Sequence, residues 1–477
     1  MKRIYLDWNV VSNLKRESYQ KLKELLLDKN YSLLIPYSSA HFDDLMKSNM
    51  EGNVYFNQDM ENLTTLCGDH LLTWDLKLGI IPSKCLLENY QIDHVDKKEL
   101  SKHMDFNFLV EDLDEGCQEL GIPRMGNLLK TLWTFHPTGI EITEENSGML
   151  KKMFPNLTSD SSMWDLLQDI GPFAQKLMQD REYYKDFRKS INESGFKVEA
   201  NSGNWDAEDV IHNIDSFLMR MGVDMSCVDL ATTSFKDDAK SNTHYNRFTS
   251  SYNMLDMIGY KSDKLPKQTD SFQNVATDGE HAFFASYCDI FVVGDKKLAS
   301  KAQVLYHEFN IDTLIVSPDD FQDDFENIIG KIGKNDFELL EEVVAAMSYE
   351  SPIEYRPSTE DHPVEVSVYK LPFKYFDYFT HVIHSIDFKE KVNVLTFMFS
   401  GKYQSKFAFF TELESLFDQA TKSYGITFDD YDSVKNKFVY DDNFGGAYWS
   451  MGNIFVHLGR QEVNSLPSIS FSWPNTE

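Results

Sequence analysis

Along the first seventy residues the apolar positions alternate between two periods. Ile4, Tyr5 and Leu6 form a short apolar run that ends in Asp7 and Asn9, and residues 10–27 then carry valines and leucines at helical spacing. Residues 31–36 are a second short apolar run. Ser38 and Ser39, ahead of His41-Phe-Asp-Asp-Leu-Met, have the chemistry of a helix N-cap, and 53–67 continues as helix. Strand–helix–strand–helix is the rhythm of a parallel sheet with right-handed crossovers. It stops near Asp75, and as far as about Tyr245 the periodicity is helical, as at 163–177, 181–191 and 207–221. It then resumes: helices over 246–259 and 278–287, a strand at 290–293, a helix over 296–309 and a closing strand at 313–316. Beyond Ile332 the pattern predicts a helix at 336–346, then strand 364–370, helix 373–384, strand 392–399 and helix 407–424. Short β-like runs follow at 437–440, 446–450, 453–458 and 468–473.

A compact domain does not leave so long a central stretch as structureless loop. The expected fold class is therefore α/β, a parallel sheet flanked by helices and interrupted by an α-helical insertion, followed by an α+β C-terminal domain. The expected limits are 1–75 and 246–332 for the two parts of the α/β domain, 76–245 for the insertion and 333–477 for the last domain.

Composition changes this picture in two ways. The chain has 477 residues, 42% of them hydrophobic, enough for two or three well-filled cores. No run approaches the ~18 apolar residues that span a bilayer, and the N-terminus reaches an acid too soon for a signal peptide. Cys67, Cys85, Cys117, Cys227 and Cys288 show no CxxC spacing, which fits reduced thiols and a cytoplasmic protein. The net charge of −30 runs against a nucleic-acid partner, because acidic surfaces repel phosphate backbones. Local basic residues do lie near the conspicuous acids in sequence: Lys2, Arg3, Lys15 and Arg16 in front, Lys296, Lys297 and Lys301 behind.

Those acids carry the candidate chemistry. Asp7 ends the first strand, Asp278 opens the expected 278–287 helix, and Asp295 lies just beyond the strand at 290–293. Acids at strand ends and helix starts are how α/β folds build metal sites outside the carboxyl edge of the sheet. Three pieces resemble the PIN-domain nuclease superfamily: Tyr5-Leu-Asp7-Trp-Asn9, Ser38-Ser-Ala-His-Phe-Asp-Asp44-Leu45, and the stretch from Asp278 through Val293-Gly-Asp295-Lys-Lys-Leu298. The resemblance covers roughly 1–75 and 245–330. It departs from the family at Val293, where a Thr or Ser is common, and at the second acid, often Glu, where Asp43 competes with Asp44.

The resemblance implies a metal-dependent endonuclease using Mg or Mn, most often a ribonuclease, including toxins of toxin–antitoxin modules. Asp7, Asp278 and Asp295 would be metal ligands, Asp44 a more peripheral catalytic acid, and Asn9 would orient Asp7 or substrate. His281, Lys296 and Lys297 would stand near substrate. RNA is the favoured substrate and DNA the alternative. A silent scaffold that binds protein comes from another class, and a regulatory protein partner or homo-oligomer fits the acidic appendages; no membrane is expected. With 76 acids in the chain, helix capping and turns account for most of them. A turn accounts better for Asp289, and packing against a neighbouring helix for His281. His381 and His384 are three apart on an expected helix, compatible with zinc, but no third ligand is evident and an aromatic core helix explains them better. There is no GxSxG, GxxxxGK[ST] or HExxH, and no GxGxxG after a strand.

Overall fold

A computed structural model describes residues 1–47, 54–75, 79–93, 147–158, 161–193, 205–220, 224–231, 244–262, 272–329, 336–399, 407–441, 444–460 and 466–475. The chain forms two compact units. The first comprises 1–87, 284–294 and 309–477; the second comprises 88–283 and 295–308. No helix among the described residues is long and apolar enough to cross a membrane.

The first unit holds three sheets. Strand β1 (Lys2–Leu6) lies between β2 (Leu33–Leu34) and β6 (Ile290–Val292), and β7 (Leu314–Val316) completes a four-stranded sheet in the order β2-β1-β6-β7, parallel throughout. Ile4, Tyr5 and Leu6 face Ile290, Phe291 and Val292 across the central pair, and all six side chains are buried. Continuous apolar runs are what a parallel sheet covered on both faces requires. A smaller sheet joins β3 (Tyr37–Ser38), parallel to β4 (His70–Asp75), and β5 (Gly79–Lys84), antiparallel to β4. The hairpin overturns helical periodicity for 79–84, part of the stretch expected as insertion. Pro82 is tolerated there because β5 is an edge strand, where one missing N–H costs no ladder bond.

The third sheet is antiparallel, in the order β12-β13-β14-β11-β10-β9-β8. Its strands are β8 (Glu354–Arg356), β9 (Val364–Tyr375), β10 (Phe379–Asp387), β11 (Val392–Met398), β12 (Ala447–Met451), β13 (Ile454–Arg460) and β14 (Pro467–Pro474). One core cluster joins Val382, Phe397, Val456 and Ile469 of the sheet to Leu413, Leu416 and Phe417 of the Phe410–Tyr424 helix and Phe438 of the Tyr431–Tyr440 helix. Two expectations fail here. Residues 373–384, expected as helix, are the β9–β10 hairpin, and 437–440, expected as β-like, end a helix. His381 and His384 therefore point to opposite faces of a strand, which removes the zinc reading of that pair.

Buried charges tie β1 to the third sheet within this unit. The Arg3 guanidinium donates from Nε to Glu412 Oε1 at 2.8 Å and from Nη2 to Oε2 at 2.6 Å, with both side chains 2% exposed. It also reaches the Phe407 carbonyl and lies 5.0 Å from the Phe407 ring centroid. Asp289 Oδ2 accepts from the Arg3 amide at 2.8 Å and from Lys374 Nζ at 2.7 Å. Burial by itself would raise both carboxyls. For Glu412 the adjacent Arg3 outweighs it and holds the group below its usual range; for Asp289 the adjacent Lys374 does so, bringing it to about 2. A depressed carboxyl binds fewer protons folded than unfolded, so its contribution is complete above the unfolded value and is lost as pH falls through the folded one. The stability gap between wild type and Lys374→Met, read by urea denaturation, should therefore be widest near neutrality, at about 2 kcal/mol. It should close as pH falls from about 4 toward 2; a gap unchanged by pH would refute the assignment.

In the second unit the helices Met163–Gln179, Arg181–Glu193, Val210–Arg220, His244–Met257 and Lys296–Glu308 follow the helical periodicity closely. Ser162 caps the first of these with a full capping box to Asp165. Asp256 and Lys301 are each fully buried and meet at 3.1 Å. Tyr184 donates to the same carboxylate at 2.6 Å, and Arg188 stands 3.6 Å from it. The expected insertion extends over many residues, 94–146 among them, that lie outside the described ones.

Candidate functional site

In the parallel sheet the chain leaves β1 toward β2 on one side, whereas β6 leads to β7 on the other. Such a reversal opens a crevice beyond the carboxyl ends of the two central strands, the usual ligand position in open α/β sheets. Asp7 is the first residue past β1. Its amide donates to the Val292 carbonyl at 2.9 Å, and its side chain is 1% exposed. Asp7 also takes the N-cap position of the Trp8–Asn13 helix, with its carbonyl accepting from Val10 and Val11. The carboxylate does not cap that helix. Capping, the commonest account of an acid at a helix start, is thus not what places this one. Asn9 is exposed in the first turn of the same helix.

A buried polar chain fixes the next element against β1. The Tyr5 hydroxyl meets Ser38 Oγ at 2.7 Å, the Ser38 amide donates to His41 Nδ1 at 3.2 Å, and His41 Nε2 lies 2.7 Å from the Leu6 carbonyl. A backbone amide can only donate, so Nδ1 accepts and the proton resides on Nε2, which donates to Leu6. His41 is thereby a neutral strut between the end of β1 and the Ser39–Lys47 helix, one residue before Asp7. Sequence reasoning gave His41 no role. The signal was a histidine in the first turn after a serine pair, next to a tyrosine-bearing strand.

The strut sets the positions of the two competing acids. Asp43 is buried, at 8% exposure, whereas Asp44 forms an ion pair with Lys47 at 2.7 Å on the same helix. That pairing is an ordinary i,i+3 surface interaction and supplies a structural account of Asp44.

The remaining candidates belong to the second unit. Asp295 immediately precedes the Lys296–Glu308 helix, and its Oδ1 accepts from the amides of Lys297 at 2.7 Å and Leu298 at 3.1 Å. One of its oxygens is thus a helix cap. Contrary to expectation, Asp278 does not open a helix; the helix runs Phe272–Ala285, and Asp278 lies inside it, half-buried. His281 is fully buried on the same helix, and Glu280 accepts from the Tyr245 hydroxyl at 3.0 Å. Gly279 lets Tyr252 approach closely: a Cβ there would stand 2.9 Å from Tyr252 Cδ1. Lys296 is exposed, while Lys297 donates to the Ser262 carbonyl at 2.7 Å. In the first unit, Val293 is buried and its amide donates to Val316, so the chain just ahead of Asp295 is held by backbone pairing where the family often has a hydroxyl.

The basic cluster expected beside the acids is largely spent on internal partners. Arg3 is bound to Glu412, Lys15 to both oxygens of Asp59 at 2.7 and 3.0 Å, and Lys301 to Asp256. Each has a carboxylate at contact distance, where Coulomb attraction far exceeds anything a distant phosphate offers. Arg16 and Lys296 remain exposed. Asp289, expected as a turn residue, anchors Arg3 and Lys374.

Among the described residues no group of three or more His, Cys, Asp or Glu side chains is gathered closely enough to hold a metal ion. No disulfide forms among them either: Cys67, Cys85, Cys227 and Cys288 are free, and burial pushes the Cys227 thiol up to about 12. No protein-family model, curated protein or solved structure matches the chain.

Proposed function

We propose that the chain is a metal-dependent endonuclease acting on RNA, with DNA as the alternative substrate. The observation that carries the reading is the buried carboxylate of Asp7, placed past β1 where the parallel sheet reverses its strand order, and not used to cap the helix it precedes. A carboxylate just past a strand end at such a reversal stands where open α/β sheets usually place their ligand-binding groups. Hard carboxylate oxygens such as those of Asp7 suit Mg or Mn, which when bound would supply an activated water and neutralise charge on the phosphoryl oxygens. Asp43 or Asp44 would lie further out, and His41 holds their helix against the end of β1.

A second reading has its own support. With Arg3, Lys15 and Lys301 bound to internal acids and a net charge of −30, several of the cations that lie near the candidate acids in sequence are not available to a phosphate backbone. That favours a catalytically silent scaffold that binds a protein partner. Labelled single-stranded RNA and DNA, incubated with purified protein and Mn²⁺ or EDTA, separate the readings. The nuclease reading expects cleavage that EDTA stops and that Asp7→Asn plus Asp295→Asn abolishes. Silence on both substrates with every metal tried would leave the scaffold; cleavage surviving the double substitution would mean a contaminant or a different site.

A further inference from the structure

β8 is the terminal strand of the antiparallel sheet, and among the described residues no strand pairs with its outer edge. An open edge is a template for another strand, and soluble proteins usually blunt it with lysine, proline or a bulge. Here Pro352 and Pro357 bracket the strand and limit pairing to the residues between them, Glu354-Tyr355-Arg356, whose two charges are of opposite sign. Tyr355 is 54% exposed, and the apolar residues leading into the strand are more so: Ile353 at 63% and Tyr349 at 90%. The Glu354 and Arg356 side chains are 65% and 71% exposed and stand 3.6 Å apart, so they share one face of the strand.

We propose that β8 pairs antiparallel with β8 of a second copy of this chain, across a two-fold axis through Tyr355. A two-fold interface must be self-complementary: whatever one copy presents, the other must receive. Acid–aromatic–base, read in opposite directions, meets that condition. Tyr355 faces its own counterpart, Glu354 faces the partner's Arg356, and Arg356 faces the partner's Glu354. Both kinds of cross-strand pair are favourable, and the next register, one residue along, would set charges against tyrosine. The exposed Ile353 and Tyr349 add apolar surface beside so short a strand, which by itself falls well below the area of a stable dimer. A weak, concentration-dependent dimer follows, and it does not depend on the nuclease reading.

Sedimentation equilibrium of the full chain across the micromolar range, at physiological salt, tests the pairing. Wild type should pass from monomer to dimer as concentration rises. Glu354→Arg or Arg356→Glu sets like charges opposite each other twice and should weaken association about tenfold. Glu354→Arg combined with Arg356→Glu exchanges the charges and should return the constant to within about twofold of wild type. Tyr355→Lys places two cations on the axis and should abolish the dimer. Because these side chains are exposed, all variants should keep the wild-type melting temperature. A chain that stays monomeric at every concentration overturns the proposal. So does a dimer indifferent to these charges, or single reversals that the exchange fails to rescue.

Discussion

Arg3→Met should lower the stability of the first unit by about 3–5 kcal/mol, the usual cost of removing one member of a buried ion pair. Both side chains are 2% exposed, so losing the guanidinium leaves the Glu412 carboxylate buried beside aromatic rings without its cation. Two of its bonds disappear at once, and among the described residues only the Phe409 amide, 3.0 Å from Oε2, still hydrogen-bonds to it. The double substitution Arg3→Met plus Glu412→Met removes both charges and should recover most of the loss, because apolar groups of similar volume often replace a buried pair without penalty. It should stop about 1 kcal/mol short, since the Phe409 amide also loses its acceptor at the start of the Phe410–Tyr424 helix. Chemical denaturation of the single and double variants measures the coupling. If Arg3→Met cost less than ~1 kcal/mol, water would have to reach the pair, and the account of a dry anchor for β1 would fail.

On the proposed nuclease reading, Asp7→Asn should reduce phosphodiester cleavage by about a thousandfold or more, since the loss of one anionic ligand would weaken both metal binding and the charge stabilisation a metal provides. The direction of the stability change discriminates as sharply as the rate. A carboxylate kept for a ligand is a burden on folding, so its neutral isostere should leave the melting temperature unchanged or raise it. A carboxylate kept for structure would lower it on substitution. Mn²⁺ binding, followed by the loss of the free-ion electron paramagnetic resonance signal, supplies a readout independent of cleavage. Wild-type cleavage and wild-type Mn²⁺ affinity in Asp7→Asn would end the proposal for this residue.

Local pattern made some elements legible and hid others for identifiable reasons. The apolar runs of β1, β6 and β7 are short, continuous and bounded by polar residues, and each proved to be a strand of the parallel sheet. The aromatic stretch around Phe373 to Phe379 misled because its spacing suits helix as well as strand. What decides it is a tight turn in which Phe376 and Asp377 take positive φ, 52° and 56°, a conformation that Asp tolerates but that a Phe does not advertise. The β4–β5 hairpin was hidden by Pro82, a strand breaker everywhere except on an edge, and edge position is not a property of the local sequence. The Phe272–Ala285 helix began before Asp278 because the apolar spacing already present at Val275 extends it backward, so an acid expected at a helix start lies inside a helix.

For the candidate site, the chain by itself determined that Asp7 ends a buried strand, that Asp295 follows another, and that these two strands have the apolar character of neighbours in a parallel sheet. Periodicity is a local property, and it suffices for that much. Tertiary structure alone decided that β1 pairs with β6, that His41 braces the end of β1, and that Arg3, Lys15 and Lys301 belong to Glu412, Asp59 and Asp256. A charge pairs with whichever opposite charge packing brings within a few ångströms, and those partners lie from tens to hundreds of residues away along the chain.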